Sequence, residues 1–176
     1  MGNTIREVGF VESAGLLREA FGRIRGSVHA VLDDISVDQL TFRVGDRANS
    51  ISWLIWHLTR IQDDHVAGVA GTEQVWVAEG WAERFELPFG PLATGYGQDP
   101  HEAAAVDAGA VLLLGYHEAV HHQTVAFIAG LNDADLDRIV DESWDPPVTL
   151  GVRLVSVIED DLQHLGQAAY IRGLSA

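Results

Sequence analysis

The chain has 176 residues, 47% of them hydrophobic, so it is long enough to bury a substantial core and too apolar to be a disordered protein. Its 26 acidic and 11 basic residues give a formal net charge of −15 at pH 7, which repels phosphate backbones and anionic lipids and so excludes nucleic acid and membrane partners. The absence of cysteine excludes disulfides, cysteine-based zinc sites and a protein thiol nucleophile.

Neither a targeting segment nor a membrane-spanning segment is visible in the sequence. The N-terminal residues MGNTIREVGF lack a basic stretch followed by an apolar run. No apolar run reaches the roughly 18 residues that a membrane span needs. We therefore expect a soluble, cytoplasmic protein in which residues 1–176 form a single domain.

Helical periodicity dominates the first half of the chain. From about Glu12 to Asp34, apolar residues recur at spacings of three and four, which predicts an amphipathic helix. After a polar, irregular segment, Asn49-Ser50 offers an N-cap for a second long helix, ISWLIWHLTRIQDDHVAGV. Gly68 and Gly71 indicate where this helix ends.

The second half predicts two more long helices. The segment EQVWVAEGWAERF indicates a short helix, and the turn-rich LPFGPLATGYGQDP indicates an ordered loop. A third long helix is expected from Asp99-Pro100 to about Gly130. After the short amphipathic piece DADLDRIV and a proline-containing loop, the fourth helix starts at Thr149. Because strand patterns are hard to find, the sequence predicts an all-α four-helix bundle with long inter-helix connections.

The third predicted helix carries the stretch His117-Glu118-Ala119-Val120-His121, which matches the H-E-x-x-H pattern of zinc proteases. Side chains at positions i and i+4 share one face of a helix and can chelate one metal. A metalloprotease would place its metal on this pair, with Glu118 activating water. However, Thr124 and Phe127 do not extend the pattern with a third histidine, and no strand is available to hold a substrate. The alternative is a histidine pair at the border of the core or lining a pocket.

The fourth helix carries a second pair at the same spacing, Asp160 and His164. A carboxylate combined with an imidazole suits Zn, Ni, Fe or Mn. A catalytic metal site needs at least one further ligand, and His57, at the rim of the apolar face of the second helix, is a candidate. The alternatives are that Asp160 is solvated or paired with an arginine and that His57 has a structural role.

Four segments together resemble the DinB-like superfamily, in particular its actinobacterial branch related to mycothiol-dependent S-transferases and maleylpyruvate isomerase. They are NSISWLIWHLTRIQDDH, QVWVAEGWAERFELP, GYHEAVHHQTVAFIAGLNDADLDRIVDE and LGVRLVSVIEDDLQHLGQAAYIRG. The resemblance implies a metal held by a histidine on the second helix and by a His- or Glu-x-x-x-His pair on the fourth. These positions fall on His57, Asp160 and His164. Aspartate is one methylene shorter than glutamate, and Asp161 is the alternative ligand.

The resemblance also implies a function, namely a metal-dependent S-transferase or isomerase that uses mycothiol as co-substrate and acts on small electrophiles. The divalent metal, zinc in the first instance, would bind the thiol sulfur and lower its pKa, so that the thiolate is the nucleophile at neutral pH. A non-catalytic protein that binds a metal or a small molecule, and the metalloprotease described above, are the alternatives. A homodimer is expected because related bundles often pair.

Several further residues are candidates for the pocket. His117 or His121 would act as an acid or base. The residues expected to contact the thiol or the electrophile are Trp53, Trp56 and Tyr116 in the apolar part, with Arg60 and Arg172 as anchors for a carboxylate. For the aromatic residues the alternative is plain core packing, and for the arginines it is a solvated or paired position.

Overall fold

The computed structural model describes residues 12–175, and its framework is a bundle of four long helices. The elements in chain order are α1 (Ser13–Leu32), α2 (Val37–Thr41), α3 (Ile51–Ala70), α4 (Val75–Ala78), α5 (Trp81–Phe85), α6 (Pro100–Ala104), α7 (Ala110–Ala129), a 3-10 helix (Asp133–Asp137), β1 (Ile139–Asp141), β2 (Val148–Thr149) and α8 (Leu150–Leu174). The predicted all-α bundle is confirmed by α1, α3, α7 and α8. None of the described helices is long and apolar enough to cross a membrane.

Helix α3 packs between α7 and α8, and α1 contacts both of these helices from the other side. Fourteen of the twenty residues of α3 are buried, so that this helix is covered on nearly its whole circumference. The buried set therefore includes polar side chains, and each of these must find a partner inside the protein. The homodimer predicted from the sequence stays a prediction.

The ends of α3 follow the residues predicted for them, and α8 starts directly after the predicted Thr149. The Ser50 side chain accepts a hydrogen bond from the backbone N–H of Trp53 at the start of α3. Gly71 ends the same helix with φ +69°, in the left-handed region that favours glycine. Thr149 caps α8 by accepting from the N–H of Val152. Local chemistry thus sets the limits of α3 and α8.

The predicted third helix is broken, which corrects the expectation of a continuous helix from Asp99-Pro100 to Gly130. Helix α6 ends at Ala104, and α7 begins only at Ala110. In the gap, the buried Ser52 hydroxyl of α3 accepts the N–H of Ala108 at 2.9 Å and donates to its carbonyl at 3.1 Å. The break supplies these two backbone groups to a buried hydroxyl that would otherwise lack a partner.

Two connections also differ from expectation. The segment EQVWVAEGWAERF forms two short helices, α4 and α5, because Gly80 between them has φ +69°. The segment DADLDRIV forms the 3-10 helix and β1, which pairs antiparallel with β2, so the expectation of no strand is wrong for this short hairpin. Arg153 of α8 donates to Asp141 of the hairpin at 2.9 Å, and this ion pair holds the hairpin against the bundle.

A buried polar network joins α3 to the connection that follows it. The Asp63 carboxyl accepts hydrogen bonds from the backbone N–H groups of Val75 and Trp76 and from the Tyr116 hydroxyl, at 2.8 to 2.9 Å. The guanidinium of Arg60 lies 3.5 Å away, with both side chains fully buried. Burial raises the pKa of Asp63, while these donors and Arg60 favour its ionised form. Asp63 therefore fixes the start of α4 to α3.

Removing this carboxyl is expected to destabilise the fold strongly. Asp63→Ala leaves the charge of Arg60 buried without its partner and two backbone N–H groups without an acceptor, a loss of about 3–5 kcal/mol in the free energy of unfolding. Urea denaturation followed by circular dichroism measures it. The matched control is Asp64→Ala, because the neighbouring Asp64 side chain is 41% exposed. Similar losses in both variants would contradict the role of the network.

Candidate metal centre

Three potential metal ligands converge at the interface of α3 and α8. His57 projects from α3, and Asp160 and His164 lie one turn apart on α8. One ligand atom from each residue lies within 4.8 Å of the other two, which within residues 12–175 is the one such group of three or more. The structure therefore brings together the residues that the spacing and the resemblance indicated, and their role as metal ligands stays a prediction.

His57 is held in one orientation by its surroundings. Its ring is 5% exposed, and Nδ1 lies 2.6 Å from the carbonyl oxygen of Thr94, so that Nδ1–H donates and Nε2 keeps its lone pair. Burial lowers the pKa of His57, which favours the neutral imidazole that a metal requires. The ring also stacks on Trp53 at 4.4 Å between centroids, and Trp53 Nε1 donates to Gln98.

The two groups on α8 also suit a cation. His164 Nδ1 lies 3.2 Å from the side-chain oxygen of Gln167, and its Nε2 lies 3.6 Å from Asp160 Oδ1. Burial alone would lower the pKa of His164, but the partnership with Asp160 and Gln167 raises it above the usual value. The second carboxylate oxygen, Asp160 Oδ2, is buried without a hydrogen-bond partner among the described residues. A buried acceptor beside two oriented imidazoles is a donor set that fits Zn, Ni, Fe or Mn.

Gly95 allows the Thr94 carbonyl to reach His57. It has φ +94°, and a Cβ built on it would lie 2.8 Å from His57 Nδ1, 3.0 Å from Trp56 and 3.1 Å from Trp53. The loop backbone therefore packs directly on the histidine ring, and only glycine fits there. Sequence reasoning missed this residue because the segment ATGYGQDP contains two glycines, and nothing in the pattern distinguishes Gly95 from Gly97.

Asp161, the alternative ligand, points elsewhere. Its side chain is fully buried, and neither carboxyl oxygen has a hydrogen-bond partner among the described residues. Burial raises its pKa well above the usual value. Because only Asp160 places an oxygen beside both imidazoles, the geometry favours Asp160 over Asp161 as the third ligand.

The H-E-x-x-H stretch is on α7, which packs against a different face of α3 from the one that carries His57. His117 of α7 is fully buried, with Nδ1 3.2 Å from the hydroxyl of Thr59. Thr59 follows His57 by two residues and so points about 200° away from it around α3, toward α7. Burial lowers the pKa of His117 to about 3. A fully buried imidazole on that side contacts the core, which does not favour the predicted acid or base role for His117.

Glu118 and His121 do not complete a protease site. The Nε–H of Arg25 donates a shared hydrogen bond to the two oxygens of the Glu118 carboxylate, at 2.7 and 2.9 Å, and Glu118 also lies 2.5 Å from His29 Nε2. Arg25 and His29 are both on α1. These bonds, working against burial, lower the pKa of Glu118. Within the described part of the chain no third ligand joins His117 and His121. The geometry therefore gives the metalloprotease interpretation no metal site and no free general base.

The aromatic candidates pack in the core. Trp56 is 1% exposed and lines a cavity of about 180 Å³ together with Trp76 and Phe89. Tyr116 is fully buried in the network of Asp63. Trp53 is the candidate that directly borders the triad, since its ring contacts His57 and lies 6.0 Å from that of His164. Core packing describes Trp56 and Tyr116 better than contact with a ligand.

The two arginine candidates are both occupied. Arg60 is fully buried and donates to the carbonyl oxygen of Ala93, to Gln74 and to Tyr116. Arg172 donates to the backbone carbonyl oxygens of residues 30, 31 and 33 where α1 ends. The contacts of Arg60 belong to the buried network of Asp63. Those of Arg172 satisfy the last carbonyl groups of α1. The structure thus favours the paired alternative over a carboxylate anchor for both residues.

Comparison with known proteins shows the family of the chain. The model of a family described as mycothiol S-transferase matches residues 16–176, which is nearly the whole chain. The chain belongs to the mycothiol S-transferase family. This membership confirms the resemblance to the DinB-like superfamily that the sequence segments indicated.

One solved structure resembles this mycothiol S-transferase family member over most of its length. It is the crystal structure of a conserved protein from Enterococcus faecalis, 30% identical, with a TM-score of 0.85. The similarity covers 92% of this chain and 95% of that one, so the two share their whole fold. No curated protein matches the sequence.

The contact between Gly95 and His57 predicts a specific defect. In Gly95→Ala the new Cβ would displace the histidine ring, and zinc affinity is expected to fall about 10- to 100-fold, as when a metal ligand loses its supporting contact. A competition titration against a chromophoric chelator measures this. Gly97→Ala is the matched control, because Gly97 also has a positive φ, +74°, but its Cβ would meet no atom within 4 Å. Equal affinities in the two variants would contradict this role of Gly95.

The burial of His117 predicts a pH dependence of stability. The folded-state pKa of about 3 lies below the unfolded value near 6.5, so stability is full above pH 6.5 and falls as the pH drops toward 3. One such group changes the free energy of unfolding by about 1.4 kcal/mol per pH unit within this window. Urea denaturation of His117→Gln should show a shallower acid dependence. The control is the exposed neighbour His122. A His122→Gln variant with the same shallow acid dependence would contradict the assignment of this pH dependence to His117.

Proposed function

We propose that this chain is a metal-dependent transferase that joins mycothiol to small electrophiles, with the metal held by His57, Asp160 and His164. The observation that carries the proposal is the convergence of three ligand atoms within 4.8 Å at the α3–α8 interface of a mycothiol S-transferase family member. Three protein ligands leave coordination positions open for a co-substrate. The borderline nitrogen and oxygen donor set suits zinc, with Ni, Fe or Mn as alternatives.

Hydrogen bonds orient the two histidines of the triad. The Thr94 carbonyl and the Gln167 side chain each occupy the Nδ1 of one histidine, which leaves both Nε2 atoms available. Such outer contacts fix the ring orientation and the tautomer of a ligating histidine. A bound divalent cation would lower the pKa of a thiol that ligates it and so provide thiolate at neutral pH. Because Asp160 is the single carboxylate of the triad, a divalent cation bound there would keep a net positive charge, which would attract the thiolate sulfur.

The nucleophile must come from a small molecule, because the chain contains no cysteine. In the proposed reaction the sulfur of mycothiol attacks the electrophilic carbon, a carbon–sulfur bond forms as the leaving group departs with its electron pair, and the thiol proton passes to solvent. Trp53 offers a flat apolar surface beside the triad on which an electrophile can pack.

Access to the triad is from the α8 side. The side chains of Asp160 and His164 are 32% and 20% exposed, whereas His57 is 5% exposed and covered by the loop at Gly95. A thiol therefore approaches from the exposed side of Asp160 and His164. His117 takes no part in this proposal, because its ring is enclosed on the α7 side of α3.

The test is to remove each ligand and measure metal and activity together. His57→Ala and His164→Ala are expected to lose bound zinc, measured by mass spectrometry after loading and desalting. They are also expected to lose more than about 100-fold in the consumption of mycothiol with monochlorobimane or related electrophiles. His121→Ala is the matched control and should keep both properties, because it lies in the H-E-x-x-H stretch outside the triad.

Two results would overturn the proposal in different ways. Zinc that stays bound in His57→Ala and is lost in His121→Ala would place the metal on α7. Zinc that depends on the triad, in a wild-type chain that consumes no mycothiol with any electrophile of the panel, would leave a metal-binding protein without transferase activity.

A further inference from the structure

A polar groove of about 690 Å³ opens between the end of α3, the start of α8 and the β-hairpin. Seven of the side chains that line it carry hydrogen-bonding groups: Asp64, His65, Thr72, Gln74, Arg138, Asp141 and Arg153. The groove is far larger than the cavity beside Trp56. The ion pair of Arg153 with Asp141 belongs to the fold, but Asp64 and Arg138 have no such role there.

The groove continues the interface that contains the triad. Arg153 precedes Asp160 by seven residues, which places both on one face of α8 about 10 Å apart. Asp64 follows His57 by seven residues and shares its face of α3 in the same way. Arg153 Nη1 lies 3.4 Å from His65 Nδ1, so α3 and α8 meet here just as they meet at the triad two turns away. The separation of about 10 Å along α8 is within the length of a molecule of ordinary cofactor size.

The lining is balanced in charge. Two carboxylates, Asp64 and Asp141, face two guanidinium groups, Arg138 and Arg153. Arg153 is already paired with Asp141 at 2.9 Å, which leaves no concentrated positive charge for an anion and no concentrated negative charge for a cation. A balanced set of donors and acceptors suits a neutral ligand with many hydroxyl groups, because each hydroxyl both donates and accepts.

These groups keep hydrogen-bonding capacity for a ligand. The Asp64 carboxylate accepts one hydrogen bond, from Gln74, although a carboxylate has about four acceptor sites. Arg138 gives one hydrogen bond, to the carbonyl oxygen of Val69, out of five possible donors. Both residues are partly or fully exposed in the groove.

We propose that this groove binds the hydroxyl-rich body of the thiol co-substrate while its sulfur lies at the triad. This rests on the proposed function, and it adds the place at which the neutral, polyhydroxylated body of that thiol binds. Mycothiol has this chemistry, since its cysteinyl arm is attached to an amino sugar that is linked to inositol. The groove holds the sugar and inositol rings, and the arm spans the two helical turns to His57, Asp160 and His164.

The kinetic test compares two thiols. Arg138→Ala and Asp64→Asn, on different elements of the groove, should each raise the KM for mycothiol about 10-fold and leave kcat within about twofold. The KM for N-acetylcysteine, which lacks the rings, should stay unchanged in both variants. Arg18→Ala, an exposed arginine outside the groove, is the control for loss of one positive charge. A KM that rises equally for both thiols, or for neither, overturns the proposal.

A binding test separates this inference from the proposed function. Calorimetry with the thiol-free amino sugar–inositol glycoside on the full chain needs neither metal nor electrophile. Binding by the wild type that weakens about 10-fold in Arg138→Ala supports the groove, even if no electrophile is ever turned over. Absence of binding by the wild type overturns the inference even where mycothiol is consumed. Binding of a small dicarboxylate in place of the glycoside overturns it in favour of an anion site.

Discussion

The burial of α3 on nearly all sides is the constraint on which the other features depend. Its buried polar side chains are Ser52, His57, Thr59, Arg60, Gln62 and Asp63, and an enclosed polar group without a partner is costly. Most of their partners lie outside the four-helix framework or on α7, so that satisfying them determines where the connections run. Ser52 interrupts the third predicted helix, Asp63 fixes the start of α4, and His57 holds the loop at Thr94.

The triad combines a local and a long-range part. Asp160 and His164 lie side by side because residues four positions apart share one face of a helix. His57 depends on the fold, since the loop at Thr94 and Gly95 covers the ring that Trp53, one turn earlier on α3, stacks on. The loop is therefore part of the candidate metal centre although it contributes no ligand, in the way that supporting contacts orient ligands in metal sites generally.

Much of this arrangement is predictable from the sequence, for identifiable reasons. The helices α1, α3 and α8 have a strong 3.6-residue periodicity, and the side chains of Ser50 and Thr149 cap the starts of α3 and α8, so these starts follow from local chemistry. The break before α7 depends on Ser52, fifty-six residues from its partner Ala108, and the hairpin depends on an ion pair with Arg153. No local pattern carries these contacts. The role of Gly95 could not be predicted for the same reason, because it depends on a contact with His57, which is distant in the sequence.

The two i,i+4 pairs show where spacing ceases to be informative. His117 and His121 have the same separation as Asp160 and His164, and they belong to the better known motif. On α7 the motif faces the core and α1, where its glutamate pairs with Arg25 and its first histidine is enclosed. On α8 the pair is partly exposed, and a third donor atom, from His57 of α3, lies within 4.8 Å of the ligand atoms of the pair. Spacing provides two ligands in either case, and the neighbouring helix determines whether a third can reach them.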